Sequence, residues 1–269
     1  MKKTILITGA TDGIGLETAK MLVSAGHDVL LHGRNPAKLA EAQEALAGAS
    51  DDRAIQAYLA DLSRIDEVET LANAVAAKHD KLDVLINNAG VLKTPNVTTE
   101  DGLDIRFVVN TLAPYLLTQR LLPLLDKDGR VINLSSAAQS PVDLRALRGQ
   151  VKLADMPAYA QSKLALTMWS RQMGQALGPD GPVIVAVNPG SMLGTKMVKE
   201  GFGAAGGDIR IGADILTRAA LEEAFADASG QYFDNDAGRF APPHPDALDA
   251  EKSKAVVQAI EEILGGMLH

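Results

Sequence analysis

From residue 4 onward, short runs of continuous apolar character alternate with helical stretches along the chain. TILIT (4–8), DVLLH (28–32), AIQAYLA (54–60), LDVLI (82–86), RVINLS (130–135) and VIVAV (183–187) read as strands, with QYF (231–233) as a short seventh. Helices are expected over 14–25, stopped by Gly26, from Pro36 at a first helical position to Ala47, and after Asp61 to about Lys78. Two more helical stretches precede the fifth strand, another begins around Tyr159, and an amphipathic helix spans 251–264. Strands that are apolar on both faces lie inside a parallel sheet, and regular βα alternation covers that sheet with helices on both sides. Right-handed crossovers then give a doubly wound α/β sheet of six to seven strands, the Rossmann type, whose ligands bind outside the carboxyl ends of the strands.

At 269 residues the chain suits one domain, residues 1–269, which would bury roughly three quarters of its unfolded surface. A formal net charge of −8 argues against a nucleic-acid partner, since phosphate binding needs a basic face. There is no cysteine, so disulfides and thiolate metal sites are excluded, and the five histidines show no metal-ligand spacing; no metal is expected. MKKTILITGA has too short an apolar run for a signal peptide and leads straight into a glycine-rich turn, and no window approaches the roughly 18 apolar residues of a membrane span. A soluble, cytoplasmic protein is expected. One long segment, about 191–212, contains GFGAAGG (201–207) and reads as a mobile lid over a binding site.

TGATDGIG (8–15) joins the first strand to the first helix. Gly9, Gly13 and Gly15 would let the backbone turn tightly and approach a pyrophosphate resting on the helix N-terminus, with Thr11, Asp12 and Ile14 in the same loop. The acid at Asp12 is unexpected beside a phosphate. After the second strand the sequence is HGRNP, with Arg34 and no acidic residue. An acid there would bind the ribose hydroxyl of NAD, whereas arginine suits the 2′-phosphate of NADP. A charge-assisted bond contributes about 1.5–3 kcal/mol, so NADP is the expected cofactor and NAD the less favoured one.

YAQSK (159–163) places Tyr159 and Lys163 four residues apart on one helix face. Together with TGxxxGxG, NNAG (87–90) and the serines of NLSS, this pattern resembles the short-chain dehydrogenase/reductase family, with matching motifs from Thr8 to Gly190. The resemblance implies that Tyr159 is the general acid/base, that Lys163 holds the nicotinamide ribose, and that Ser136 steadies the substrate oxygen. It further implies that Asn110 anchors a water leading to the lysine and that Asp61 and Leu62 border the adenine. Asn88, Ala89, Gly90, Pro189, Gly190 and Thr195 would complete the cofactor site. Strand alternation sends Ser135 and Ser136 to opposite faces, and the family match selects Ser136. Lowering a phenol from near 10 toward neutrality requires about 4 kcal/mol, and a lysine charge about 5 Å away at an effective dielectric near 20 supplies around 3 kcal/mol.

Twenty-two residues separate Ser136 from Tyr159, resembling the longer form of the retinol-dehydrogenase-like and protochlorophyllide-reductase-like branches. The stretch 140–157 is expected to shape the pocket beside the active site, and Arg145, Arg148 and Lys152 within it read as a solvated basic turn rather than as contacts for an anionic substrate. Met192, Leu193, Met197, Val198 and Phe202 in the lid suggest a fairly apolar small-molecule carbonyl or alcohol substrate. The expected activity is hydride transfer between NADP and that group. The competing reading is a non-catalytic NADP-binding sensor or interaction protein of the same fold. Family members often pair through the helices flanking the fifth strand, which makes a homodimer or homotetramer an expectation unless 140–157 obstructs it.

Overall fold

The structure, a computed structural model, describes residues 2–48 and 55–268. Ala54, assigned above to the third strand, lies outside the described residues, as do the two ends of the chain. Eight strands form one sheet: β1 (Thr4–Ile7), β2 (Asp28–Gly33), β3 (Gln56–Leu59), β4 (Val84–Asn87), β5 (Arg130–Leu134), β6 (Val183–Asn188), β7 (Tyr232–Asp234) and β8 (Arg239–Phe240). Their order is β3-β2-β1-β4-β5-β6-β7-β8. All neighbours from β3 to β7 are parallel, and β8 returns antiparallel to β7. The sequence reading missed β8 because a two-residue strand carries no periodicity.

Alternation along each strand divides the core in two. Ile5, Ile7, Val29, Leu31, Val84, Ile86, Ile132 and Leu134 pack on one face with α1 (Gly13–Ser24), α2 (Pro36–Ala47) and, later in the chain, the helix at Arg210–Leu221. Leu6, Leu30, Leu85 and Val131 turn to the other face, under α3 (Ile65–Ala76) and the helices that follow β4. Pro36 stands at the first position of α2 behind an Asn35 cap, as its fixed φ favours.

Between β4 and β5 the two expected helical stretches are one run, preceded by a loop. It comprises α4 (Ile105–Phe107), a π-helical turn (Val108–Leu112) and α5 (Ala113–Leu121). Pro114 accounts for the widened turn: its ring would clash with the carbonyl four residues back, that of Asn110, and it has no N–H to donate there. The Ala113 amide reaches the Val108 carbonyl instead. The wider turn places Asn110 in the core, fully buried.

The stretch 140–157 contains α6 (Leu144–Leu147) and leads into α7 (Asp155–Leu177). The expectation that it shapes the pocket is largely overturned. Ala146 and Leu147 are buried, the Arg148 guanidinium pairs with Glu262 at 2.7 Å, and among 140–157 only Met156 lines the cleft described below. The segment after β6 also differs from expectation: it holds α8 (Lys196–Phe202) and is pinned where the Gly194 and Gly207 amides donate to the Gly207 and Met192 carbonyls, both at 2.7 Å. Next come α9 (Arg210–Leu221) and α10 (Ala250–Met267). α10 packs along α7 and ties to α5 through a 2.8 Å bond from the Tyr115 hydroxyl to Glu261. Among the described residues no helix is long and apolar enough to cross a membrane.

Candidate active site

The carboxyl ends of β1, β2, β4, β5 and β6 open into one elongated cleft of about 520 Å³. Thr8 follows β1, and the loop behind it is held by residues just after β4: Asn88 donates its side-chain amide to the Thr8 and Gly9 carbonyls at 2.9 and 3.0 Å, and the Ala89 amide donates to the Thr8 hydroxyl at 3.1 Å. A Cβ at Gly15 would collide with the Gly9 carbonyl and the Asn88 amide, so this glycine is required by the loop's own packing. Gly13, at φ +55°, is different: a Cβ there would meet nothing nearer than the Thr195 methyl at 3.8 Å. It is Gly13, together with Thr11, Asp12 and Ile14, that lines open space. Asp12 caps α1 by accepting from the Gly13 amide at 2.8 Å, and its other oxygen lies 3.8 Å from the Lys38 ammonium. The acid is therefore turned onto its own helix and toward a cation.

His32, at the end of β2, was not foreseen as a site residue. Its Nδ1 accepts from the Gly9 amide at 3.2 Å and its Nε2 donates to the Ala60 carbonyl at 3.0 Å, so it joins the glycine loop to β3. Burial holds the imidazole neutral, with its pKa down to about 4. A polar residue among apolar ones at the end of a buried strand was the signal for it. Next to it Arg34 is exposed and lines the same end of the cleft with Asp61 and Leu62. The Asp61 carboxylate accepts from the Ser63 amide and hydroxyl at 2.9 and 2.8 Å, which shapes the turn into α3; Arg64 occupies that helix's cap position without a side-chain cap.

At the other end α7 brings Tyr159 and Lys163 together beneath the end of β5. The Lys163 ammonium lies 5.7 Å from the Tyr159 ring centroid and donates to the Leu134 carbonyl at 2.6 Å. Burial lowers its pKa from 10.5 to about 8. The Tyr159 phenol is raised by burial, while a hydrogen bond with the Ser136 hydroxyl pulls it down. The sequence-based arithmetic, in which the lysine lowers the phenol, is thus not met in this state: desolvation of both groups dominates. Ser135 and Ser136 do part as alternation requires. The Ser135 hydroxyl goes to Thr167 at 2.6 Å, inside the protein, and Ser136 is left for the cleft. Asn110 is saturated by protein: it accepts from the Val91 amide at 2.8 Å and donates to the Val91 carbonyl at 2.9 Å and the Ser162 hydroxyl at 3.0 Å. Its side chain therefore frames the loop after β4 beside Gly90, where a Cβ would stand 3.4 Å from both Asn110 and the Lys163 ammonium.

Pro189, Gly190 and Thr195 border the same end. The Thr195 hydroxyl caps α8 by accepting from the Val198 amide at 3.2 Å, and its methyl faces Gly13. Thr195 thus stands over the N-terminus of α1. Met192, Leu193, Met197, Val198 and Phe202 line the wall above, with Met192 and Phe202 exposed at 44% and 50%.

A dinucleotide suits these residues. Open space over Gly13 adjoins the first-turn amides of α1, which no carbonyl of that helix can reach. A cation stands at the β2 end, and hydroxyl, phenol and ammonium groups converge at the β5 end. Residues 3–206 match the short chain dehydrogenase family. The chain is 31% identical over 282 residues to retinol dehydrogenase 13 of Mus musculus, covering 98% of this chain and 84% of that one. A crystal structure of a protein from Mycobacterium paratuberculosis superposes with a TM-score of 0.80 at 27% identity, over 98% of this chain and 93% of that one. A short chain dehydrogenase from Escherichia coli CFT073, crystallised with NADPH, superposes with a TM-score of 0.71 at 26% identity, over 87% and 96%. A family match across most of the chain, on this sheet and this cleft, means that the protein belongs to the short-chain dehydrogenases, in their retinol-dehydrogenase-like branch, and is an NAD(P)-dependent oxidoreductase.

Proposed function

We propose that the protein transfers hydride between NADP and a fairly apolar carbonyl or alcohol, with Tyr159 as general acid/base. The observation that carries this reading is the meeting of Ser136, Tyr159 and Lys163 at one end of a cleft whose other end presents Arg34 without a competing acid at the end of β2. Arg34 would take the 2′-phosphate, the α1 amides and Gly13 the pyrophosphate, and Lys163 the nicotinamide ribose. A bound nicotinamide supplies or accepts the hydride. Ser136, already hydrogen-bonded to Tyr159, would hold the substrate oxygen within reach of the phenol. In reduction Tyr159, which its raised pKa keeps protonated at neutral pH, gives its proton to that oxygen. In oxidation it must take the proton as phenolate, which the positive charge of Lys163 favours.

The apolar wall supports the substrate class, as do relatives named retinol dehydrogenase 13, retinol dehydrogenase 12 and polyprenol dehydrogenase. Calorimetric titration with NADPH and NADH tests the cofactor reading before any substrate is known. Tighter NADPH binding that Arg34→Asp reverses supports it. Tighter NADH binding by the wild type overturns the role of Arg34, and no binding of either overturns the reading as a whole.

A further inference from the structure

The β7–β8 hairpin lies beyond the family match at residue 206, yet it reaches back to the reacting end of the cleft. The Tyr232 hydroxyl on β7 donates to the Ser136 carbonyl at 3.1 Å. Asn188, the last residue of β6, donates one side-chain amide to Asp234 and Asp236, at 2.9 Å each, while its Oδ1 accepts from the Gly190 amide at 3.3 Å. Asp236 also accepts from the Ser191 amide at 2.8 Å and from the Ser191 hydroxyl at 2.6 Å. Asn235 completes the tie by donating to the Pro189 carbonyl at 2.9 Å.

This clamp grips a segment under conformational constraint. Gly190 sits at φ +119°, and Met192 at φ 53° is the described non-glycine residue with positive φ. A non-glycine side chain in that region persists only where surrounding structure holds it. Three donors converge on Asp236 from Asn188 and Ser191, on either side of Gly190. Burial opposes its charge, but the Ser191 and Asn188 bonds hold its carboxyl below the usual range. The loop it fixes, Pro189–Met192, lines the cleft at the end of β6, which neighbours the β5 strand leading to Ser136 and lies four strands along the sheet from β2, which leads to Arg34.

We propose that Asp236 is a positioning residue for the nicotinamide half of the cofactor, acting through the Pro189–Met192 loop. The proposal rests on the dinucleotide reading above and adds that affinity at the two ends of the cleft is separable.

The test is calorimetric titration of wild type and Asp236→Asn with NADPH and with adenosine 2′,5′-bisphosphate, a probe that reaches only the Arg34 end. Asparagine sets an N–H₂ against the Asn188 amide, so NADPH affinity should fall about tenfold, the scale of one charge-assisted bond, while bisphosphate affinity stays unchanged. Ser191→Ala removes one donor without touching the hairpin, and should shift NADPH affinity in the same direction by less. That variant keeps the question answerable if Asp236→Asn folds poorly. Equal losses for both probes would make Asp236 a merely structural support and overturn the assignment, as would no loss for either. Wild-type preference for NADH would overturn the cofactor preference alone, and the clamp is then read with NADH against AMP. Absence of binding by either dinucleotide overturns both.

Discussion

The Lys163 ammonium lies over the face of Tyr159, 5.7 Å from the ring centroid, with its proton given to the Leu134 carbonyl at 2.6 Å. Lys163 is buried and Tyr159 half-buried at the edge of the cleft, and desolvation opposes the charged form of each, lowering the lysine and raising the phenol. Keeping the lysine charged there costs stability, which its bond to the Leu134 carbonyl only partly offsets.

Tyr159→Phe should abolish turnover of any carbonyl substrate, by at least about a hundredfold as expected for loss of a general acid, while NADPH affinity changes little. Single-turnover kinetics beside a binding titration check both halves. A variant retaining most of its rate would move proton transfer to another group.

Lys163→Met should raise stability at neutral pH relative to its effect in alkali. The folded pKa of about 8 lies below the ordinary 10.5, so between these values the unfolded chain binds more protons and stability rises with pH. Below pH 8 the whole penalty stands, about 3 kcal/mol before the orphaned Leu134 carbonyl is counted. Methionine removes that pH dependence. The difference in Tm between variant and wild type should shrink by several degrees from pH 7 to pH 10, at about 2–4 °C per kcal/mol. A constant difference would show that the lysine carries no burial penalty.

His32 makes the opposite end of the cleft acid-sensitive. Its folded pKa of about 4 lies below 6.5, so the unfolded chain binds more protons between these values and stability is lost as pH falls through that window. The total is about 3 kcal/mol, set chiefly by burial, which opposes the charged imidazolium; a protonated Nδ1 also can no longer accept from Gly9. His32→Leu should cost about 1–3 kcal/mol at pH 7, where it leaves the Gly9 amide and Ala60 carbonyl unpaired. It should also flatten the slope of stability against pH from 6.5 to 4. Chemical denaturation across that range checks it, and an unchanged slope would assign the acid sensitivity elsewhere.

Most of the sheet was legible because strands buried on both faces must be apolar throughout, and the helices between them carry recognisable starts such as Asn35-Pro36. Tyr159 and Lys163 were legible because helix periodicity sets them on one face, and Ser136 because strand alternation parts it from Ser135 and the family resemblance then chooses between the two. His32, Tyr232 and Asp236 were not, since each works through a backbone group or side chain distant in sequence. The π-helical turn at Asn110 follows from Pro114, but only once the surrounding helix is known. The segment 140–157 was misplaced for a related reason: its partner Glu262 lies on α10, more than a hundred residues on, and no local pattern announces that contact.

α10 bears on the expected pairing through the helices that flank β5. Val256, Ala259, Ile260 and Leu264 bury their side chains in the same core as Leu117, Leu164 and Trp169. Glu261 and Glu262 fasten the helix to Tyr115 and Arg148. The outer side of α7 is thus already covered by the chain's own last helix, and a second copy would have to displace it. Three large apolar side chains, Val256, Ile260 and Leu264, at about 1.5–3 kcal/mol each oppose that displacement. Light scattering coupled to size exclusion should report a monomer of 28.3 kDa. A dimer that persists in Ile260→Asp, which loosens α10, would indicate pairing through a different face. A dimer formed only by that variant would show α10 to be the barrier.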